Sequence, residues 1–326
     1  MKQINWGIIG CGDVTEIKSG PAFNKVKNSS LVAVMRRDTQ KAKDYARRHH
    51  VPKWYADASS LINDPDVNAI YIATPPSSHE EYTLAVLQAG KPIYVEKPMS
   101  VNSASAMNMA NAAKEKNIKL AVAHYRRMQP LYQKIKQLIT KKAIGELRFI
   151  RLELYKRPVT QEYLTAPHTG WRLDTAIAGG GLFNDLAPHQ LDLMYYFFGE
   201  IDNAWGLAVN QANLYNADDI VAGNILFKNG VVFNGLWCFS VNERDENDNC
   251  EIVGTGGKIS FSFFQHNPVI LTINGKTEVL TFDPLQHVQQ PMIEKVVEYF
   301  LGKGPNPCSA DEGVTVMQLI DKFTGN

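Results

Sequence analysis

The sequence predicts an α/β protein with a helix-covered parallel sheet in its first part and an α/β second part built on a mostly antiparallel sheet. Three observations carry this. Through the first third, short apolar runs alternate with amphipathic segments, as βαβ units require. After about residue 145 the runs lengthen and are joined by hairpin turn signals. At 326 residues the chain also exceeds the ~250–300 that one hydrophobic core organises. Two domains are therefore expected, 1–124 and 125–326; the last helix is counted with the second, although it can pack back on the first.

The parallel strands are read at Ile4–Gly10, Leu31–Met35, Ala69–Thr74, Pro92–Lys97 and Leu120–Tyr125. A sheet covered on both faces needs continuously apolar strands, and "WGIIG", "LVAVM" and "AIYIAT" are such strands. Between them, Tyr82, Leu84, Ala85, Val86 and Leu87 give a helix its apolar side, and it stops at Gly90, with Pro92 just beyond. In the second part, Lys228-Asn229-Gly230, Gly254-Thr255-Gly256-Gly257 and Asn274-Gly275 each separate two apolar strands and read as hairpin turns. Two helices close the chain, one around Met292–Leu301 and one opened by a capping box, Ser309 with Glu312.

Hydrophobic residues are 44% and charged residues 21% of the chain, which suits a globular protein with a sizeable interior. A net charge of +1 supplies no large basic surface, so nucleic acid and anionic membrane are not expected partners. No stretch approaches the ~20 apolar residues of a membrane span. The N-terminus enters a strand at once, without a secretory leader pattern. Cys11, Cys238, Cys250 and Cys308 are scattered without a CxxC pair, so neither a zinc site nor a disulfide framework is indicated, and a cytoplasmic location is expected.

Gly10-Cys11-Gly12 follows the first strand and opens a helix, the place where a dinucleotide pyrophosphate sits against backbone N–H groups. Gly10, Cys11, Gly12, Asp13 and Val14 are thus candidate cofactor residues. Position 15, usually Gly or Ala for close helix packing, is Thr15. An NAD enzyme places an acid at the end of the second strand to hold the adenosine ribose, whereas here the strand runs into Arg36 and Arg37. A guanidinium suits a 2′-phosphate, so NADP is favoured. NAD stays possible if Asp38, two places late, serves the ribose.

Ligands bind outside the carboxyl ends of the strands of such sheets. Glu96 and Lys97 emerge at the carboxyl end of the strand Pro92–Lys97, and Pro98 stiffens its exit. An ammonium partly desolvated there, near a positive nicotinamide, has a lowered pKa and can exchange protons near neutrality; Glu96 pulls the other way. The alternative is an ordinary salt-bridged surface lysine. In "AGGGLFNDLAPHQLDL", Asp185 and His189 are four residues apart on one helix face and can converge on one ligand. Pro188 places the helix start near Asn184 or Asp185, because only first-turn N–H groups are dispensable. Asp185 is otherwise a cap or first-turn acid, and His189 a core histidine; Asp192 can orient the imidazole in either case.

With GxG after the first strand, "ATPPSSH" at the fourth, "EKP" at the fifth and "GGGLFNDLAPHQLDL" in the second part, the sequence resembles the glucose-fructose oxidoreductase and inositol dehydrogenase (Gfo/Idh/MocA) family over nearly its whole length. The resemblance implies a Rossmann domain followed by an α/β domain whose large open sheet often mediates homodimers or homotetramers. It implies that Lys97 sits at nicotinamide and substrate, that His189 exchanges a proton with the reacting oxygen, and that Asp185 is the second-domain acid. Thr74, Pro75 and His79 match the turn lining the cofactor, and Glu96 is a cofactor-side position. Trp171 and Arg172 in "GWRLD" resemble a Trp-Arg pair near the nicotinamide, and in "HYRRMQP" Arg126 or Arg127 reaches cofactor or substrate. Tyr163, His168 and Trp171 are further pocket-lining candidates. Arg36 with Trp171-Arg172 makes the NADPH-dependent 1,5-anhydrofructose reductase branch the nearer analogue.

The expectation is an NADP-preferring oxidoreductase, without a metal, acting on a secondary alcohol or ketone of a sugar or polyol. The alternatives within the resemblance are an NAD-dependent cyclitol dehydrogenase, a hidden-redox glycosidase holding NAD tightly, and a non-catalytic cofactor-binding regulator.

Overall fold

Continuous apolar runs at the start of the chain become a sheet buried on both faces. In the computed structural model, which describes residues 2–166 and 169–325, the parallel strands are β1 (Ile4–Ile9), β2 (Ser29–Met35), β3 (Lys53–Tyr55), β4 (Ala69–Ile72), β5 (Ile93–Val95) and β6 (Leu120–Val122). Their order is β3-β2-β1-β4-β5-β6, every pairing parallel. Strand order therefore reverses between β1 and β4, and the crevice at that reversal is where open α/β sheets take ligands. All residues of β4 and β5 are buried, each large apolar side chain contributing roughly 1.5–3 kcal/mol. The apolar runs do not predict β3, a three-residue edge strand with no fully buried residue.

The strands are shorter than the runs suggest. β5 stops at Val95, so Glu96 and Lys97 lie just beyond its carboxyl end, and the Lys97–Pro98 peptide is cis. The helix His79–Gln88 ends as expected, with Gly90 at φ +72°.

The second sheet comprises β7 (Leu147–Tyr155), β8 (Ile201–Val209), β9 (Ile220–Phe227), β10 (Val232–Cys238), β11 (Asn247–Gly254), β12 (Gly257–Phe261), β13 (Val269–Ile273) and β14 (Lys276–Leu280). Their order is β14-β13-β12-β11-β7-β10-β9-β8, antiparallel except for β7 beside β10. The three turn signals all join antiparallel neighbours. At the last, Asn274 and Gly275 both have positive φ, +48° and +77°, the geometry of a type I′ hairpin turn. Burial alternates along β9 and β11, so one face is covered and the other open. The covered face packs on the helix Gly181–Phe198, where Phe183 meets Trp237 edge to face and the Trp237 indole N–H donates to Gln190 at 2.6 Å.

That helix corrects one expectation. It starts at Gly181, not near Asn184 or Asp185, and carries Pro188 in its interior. Gly181 has φ +67°, and a Cβ there would stand 2.5 Å from that of Ala217. The glycine run therefore lets the chain turn into the helix early against the loop before β9, and the helix tolerates a proline that cannot donate to the Asn184 carbonyl.

The chain divides into two compact units, Met1–Arg126 with Leu285–Met317, and Arg127–Pro284 with Gln318–Asn326. The closing helices are Gln290–Phe300 and Ala310–Thr324. The capping box forms: Glu312 accepts from the Ser309 N–H at 2.7 Å, and the Ser309 hydroxyl accepts from the Glu312 N–H at 3.3 Å.

Candidate active site

In the first unit the dinucleotide turn has two glycines with different reasons to exist. Gly10 has φ +91°, and a Cβ there would lie 2.7 Å from Thr74 Cγ2 and 2.9 Å from Thr74 N. It is required by the close approach of the turns after β1 and β4. Gly12 has φ −122°, open to any residue, and a Cβ would meet nothing nearer than the Gly10 carbonyl at 3.9 Å. Among the described residues no neighbour demands a glycine there, and the open space over the backbone is of the kind a pyrophosphate needs to approach such a turn.

The N–H groups of Gly10 and Cys11 donate to the Met35 carbonyl at 2.9 and 3.1 Å. The donors left for a phosphate are thus those of Gly12, Asp13 and Val14, at a helix start where N–H groups have no acceptor in a preceding turn. Cys11 contributes backbone alone: its side chain is buried, and burial pushes the thiol up to about 11. Thr15 fills the third glycine position with its hydroxyl turned back to the Gly12 carbonyl at 2.7 Å, and its own carbonyl accepts from Tyr45.

Arg36 is half-buried at the end of β2 and donates to the Cys11 carbonyl at 3.1 Å, which brings its guanidinium to the rim of the turn. Arg37 is exposed. Asp38 is the N-cap of the helix Thr39–Arg48, accepting from the Lys41 N–H at 3.1 Å. That bond, helped by the nearby Lys41 charge, holds its carboxyl below the usual range.

Thr74 and Pro75 form the half-buried turn after β4, with the Ser78 hydroxyl donating to Thr74 Oγ1 at 2.9 Å. His79 is fully enclosed. Its Nε2 meets the Thr74 carbonyl at 2.7 Å, and its Nδ1 faces the carbonyls of Pro98 and Met99 at 3.1 and 3.2 Å. The ring is thus a tie between the turn after β4 and the segment after β5. Burial depresses its pKa, outweighing the three carbonyls that favour the charged form.

Glu96 is buried at 5% exposure and is held by the Tyr71 hydroxyl, by the Gln289 amide at 2.6 Å and by the Lys97 N–H at 3.1 Å. Lys97 is half-buried beside it. Arg126, also half-buried, stands 5.8 Å over the Tyr125 ring. Tyr71 and Gln289 escape a motif reading: one is an apolar strand position, the other lies far along the chain in no recognisable pattern.

In the second unit, Asp185 and His189 lie in the interior of the helix Gly181–Phe198, so Asp185 is neither a cap nor a first-turn acid. Its carboxylate pairs with Arg172 at 3.5 Å, and the Arg172 guanidinium stands 4.6 Å over the Trp171 ring. Burial raises the Tyr163 pKa, and Arg172 and Asp185 are near enough to act on it in opposite directions. Tyr163, Trp171, Arg172 and Asp185 are therefore one cluster, whereas His168 lies outside the described residues. The buried His189 ring meets Phe264 edge to face, centroids 6.1 Å apart.

One alternative narrows here. Arg127 does not reach outward: it grips Asp192 through Nε at 3.0 Å and Nη2 at 2.8 Å, both side chains 1% exposed, with Tyr196 beneath it. The Asp192 carboxylate thus takes a bidentate guanidinium as a partner. Among the described residues no group of three or more His, Cys, Asp or Glu is placed to hold a metal ion, and no helix is long and apolar enough to cross a membrane.

Residues 4–124 match the oxidoreductase family with an NAD-binding Rossmann fold, and residues 132–260 match the GFO/IDH/MocA C-terminal domain. The chain is 45% identical to oxidoreductase P35 of Formosa agariphila over 99% of both chains. It is 28% identical to the trans-1,2-dihydrobenzene-1,2-diol dehydrogenase of Xenopus laevis, covering 88% of this chain and 83% of that one. With the 1,5-anhydro-D-fructose reductase of Ensifer adhaerens it shares 27% identity over 70% of this chain and 67% of that one. In fold it is similar to levoglucosan dehydrogenase in complex with NADH, at a TM-score of 0.89 and 22% identity over 98% and 96% of the two chains. The two family matches together span most of the chain, and the 45% identical relative covers nearly all of it: the chain is an NAD(P)-dependent oxidoreductase of the GFO/IDH/MocA family.

Proposed function

We propose that the protein prefers NADP and transfers a hydride between nicotinamide C4 and a secondary alcohol or ketone carbon of a sugar or sugar-like polyol. The observation that carries the cofactor preference is Arg36, whose guanidinium reaches the rim of the dinucleotide turn while Asp38 is engaged as a helix cap. A fixed cation there favours a 2′-phosphate over bare ribose hydroxyls. The substrate class draws on the relatives, whose names include a reductase of 1,5-anhydro-D-fructose and a dehydrogenase of levoglucosan.

The nicotinamide supplies or accepts the hydride; the side chains manage the proton and the pose. In the reducing direction, His189 gives a proton to the carbonyl oxygen as the hydride reaches its carbon, and Lys97 donates a hydrogen bond to the same oxygen, stabilising the charge that develops there. Asp185, oriented by Arg172, accepts from a neighbouring substrate hydroxyl. His79 keeps the turn after β4 and the segment carrying Lys97 in register.

Steady-state KM values for NADPH and NADH test the preference. A lower KM for NADPH is expected in the wild type, and its loss in Arg36→Leu; a wild-type preference for NADH contradicts the reading. We also propose a homodimer or homotetramer built on the open sheet face, where Phe149, Trp205, Leu207, Val209 and Val232 are exposed. Light scattering after gel filtration tests this, and a monomer at micromolar concentration overturns it.

A further inference from the structure

We infer that Tyr71 and Gln289 are positioning residues that act through Glu96 to fix the backbone at Lys97, an inference that rests on the role proposed for that lysine. Glu96 is a carboxylate 5% exposed, and burying such a charge is costly unless its lone pairs are met by donors. Three donors meet them. Oε1 accepts from the Tyr71 hydroxyl and from Gln289 Nε2 at 2.6 Å, while Oε2 turns back to the Lys97 N–H at 3.1 Å. The carboxylate is thereby a bridge with its far end pinned and its near end on the peptide that presents Lys97.

The pins are themselves fixed. Tyr71 on β4 and Tyr94 on β5 are register partners, with rings 5.2 Å apart and stacked at 24°. Glu96 follows Tyr94 by two residues, which puts it on the same side of the strand. Tyr94 donates to Gln289 Oε1 at 3.3 Å, and this sets the amide so that Nε2, not Oε1, faces Glu96. The Gln289 N–H donates to the Lys18 carbonyl at 3.2 Å, directly after the helix Asp13–Ile17 that follows the dinucleotide turn. Beside it, His287 Nδ1 meets the Ile17 carbonyl at 2.6 Å and Lys25 donates to His287 Nε2 at 2.7 Å. Residues 287–289 therefore form a strut from the end of that helix to the carboxylate beside Lys97. A displacement of a reacting group by about 1 Å costs on the order of a hundredfold in rate, so such a strut matters to turnover without touching substrate.

The test is amide hydrogen exchange at Lys97 in the cofactor-free protein, read with residue resolution for the wild type, Tyr71→Phe, Gln289→Met and Glu96→Gln. Tyr71→Phe keeps the ring stack, and Gln289→Met keeps the side-chain length. Each single variant is expected to exchange about tenfold faster at Lys97 with Tyr94 and Val95 unchanged, because the loss is one hydrogen-bond anchor. In the Glu96→Gln background, Tyr71→Phe is expected to add less than twofold. Unchanged exchange at Lys97, acceleration across all of β5, or effects that multiply in the double variant each overturn the inference. Turnover of Lys97→Met separates the two readings: if it is unimpaired, the role of the lysine fails whatever the exchange shows, and if only the exchange prediction fails, the strut alone is wrong.

Discussion

Replacing each glycine of the dinucleotide turn by alanine should separate folding from binding. At Gly10 the added methyl would lie 2.7 Å from Thr74 Cγ2 and 2.9 Å from a backbone nitrogen, at φ +91°. The left-handed backbone costs an L-residue about 1–2 kcal/mol and the overpacking about 1–3 more. The expected loss is roughly 2–5 kcal/mol, or about 10 °C in Tm for a unit of this size. At Gly12 the methyl meets nothing within 3.9 Å and φ is −122°, so stability should fall by about 1 kcal/mol at most, from the weaker helix cap. That methyl instead occupies the approach of a phosphate to the N–H groups. Losing one charge-assisted hydrogen bond, about 1.5–3 kcal/mol, weakens dinucleotide binding roughly 10- to 150-fold. Thermal melting of the cofactor-free proteins and fluorescence titration with NADPH read the two effects. A Gly12→Ala protein that melts as low as Gly10→Ala, or binds NADPH as tightly as wild type, would refute the reasoning.

Three further outcomes are expected. His79 has a folded-state pKa below its ordinary value near 6.5, through burial, so below pH 6.5 the unfolded chain takes up the proton more readily and stability falls as pH drops toward the folded pKa; melting from pH 7.5 to 5 should decline less steeply in His79→Gln than in wild type, and parallel curves would contradict this. Asp192→Asn leaves the Arg127 guanidinium buried without its counter-charge and should cost about 3–5 kcal/mol in urea unfolding, whereas the double variant Arg127→Met/Asp192→Leu should recover most of it. Arg172→Leu removes the cation that orients Asp185, and should raise the KM of a polyol substrate more than tenfold with the KM for NADPH within twofold.

What the chain discloses in advance follows the range of the interactions. The parallel strands were legible because a sheet covered on both faces leaves no polar alternation, and the hairpins because Asn274-Gly275 and its counterparts have few other uses. The strand β3 was not, since an edge strand of Lys53, Trp54 and Tyr55 needs no apolar run. The early start of Gly181–Phe198 was hidden because the proline rule is local, whereas the fit of Gly181 against Ala217 is set by a loop 36 residues away. Spacing on a helix and charge at a strand end pointed to Asp185, His189, Glu96 and Lys97. The partners of those groups, Arg172, Tyr71 and Gln289, come from other elements, and so does the Arg127 that occupies Asp192. Long-range hydrogen bonds leave no period in a sequence.

The account stands most directly on the nicotinamide turnover of wild type, Lys97→Met and His189→Ala with NADPH and a panel of keto-sugars that includes 1,5-anhydro-D-fructose. Loss of nicotinamide absorbance with at least one of them in the wild type, and a fall of two orders of magnitude or more in both variants with NADPH still bound, is the predicted result. Full turnover in either variant, or none in the wild type with any member of the panel, contradicts it.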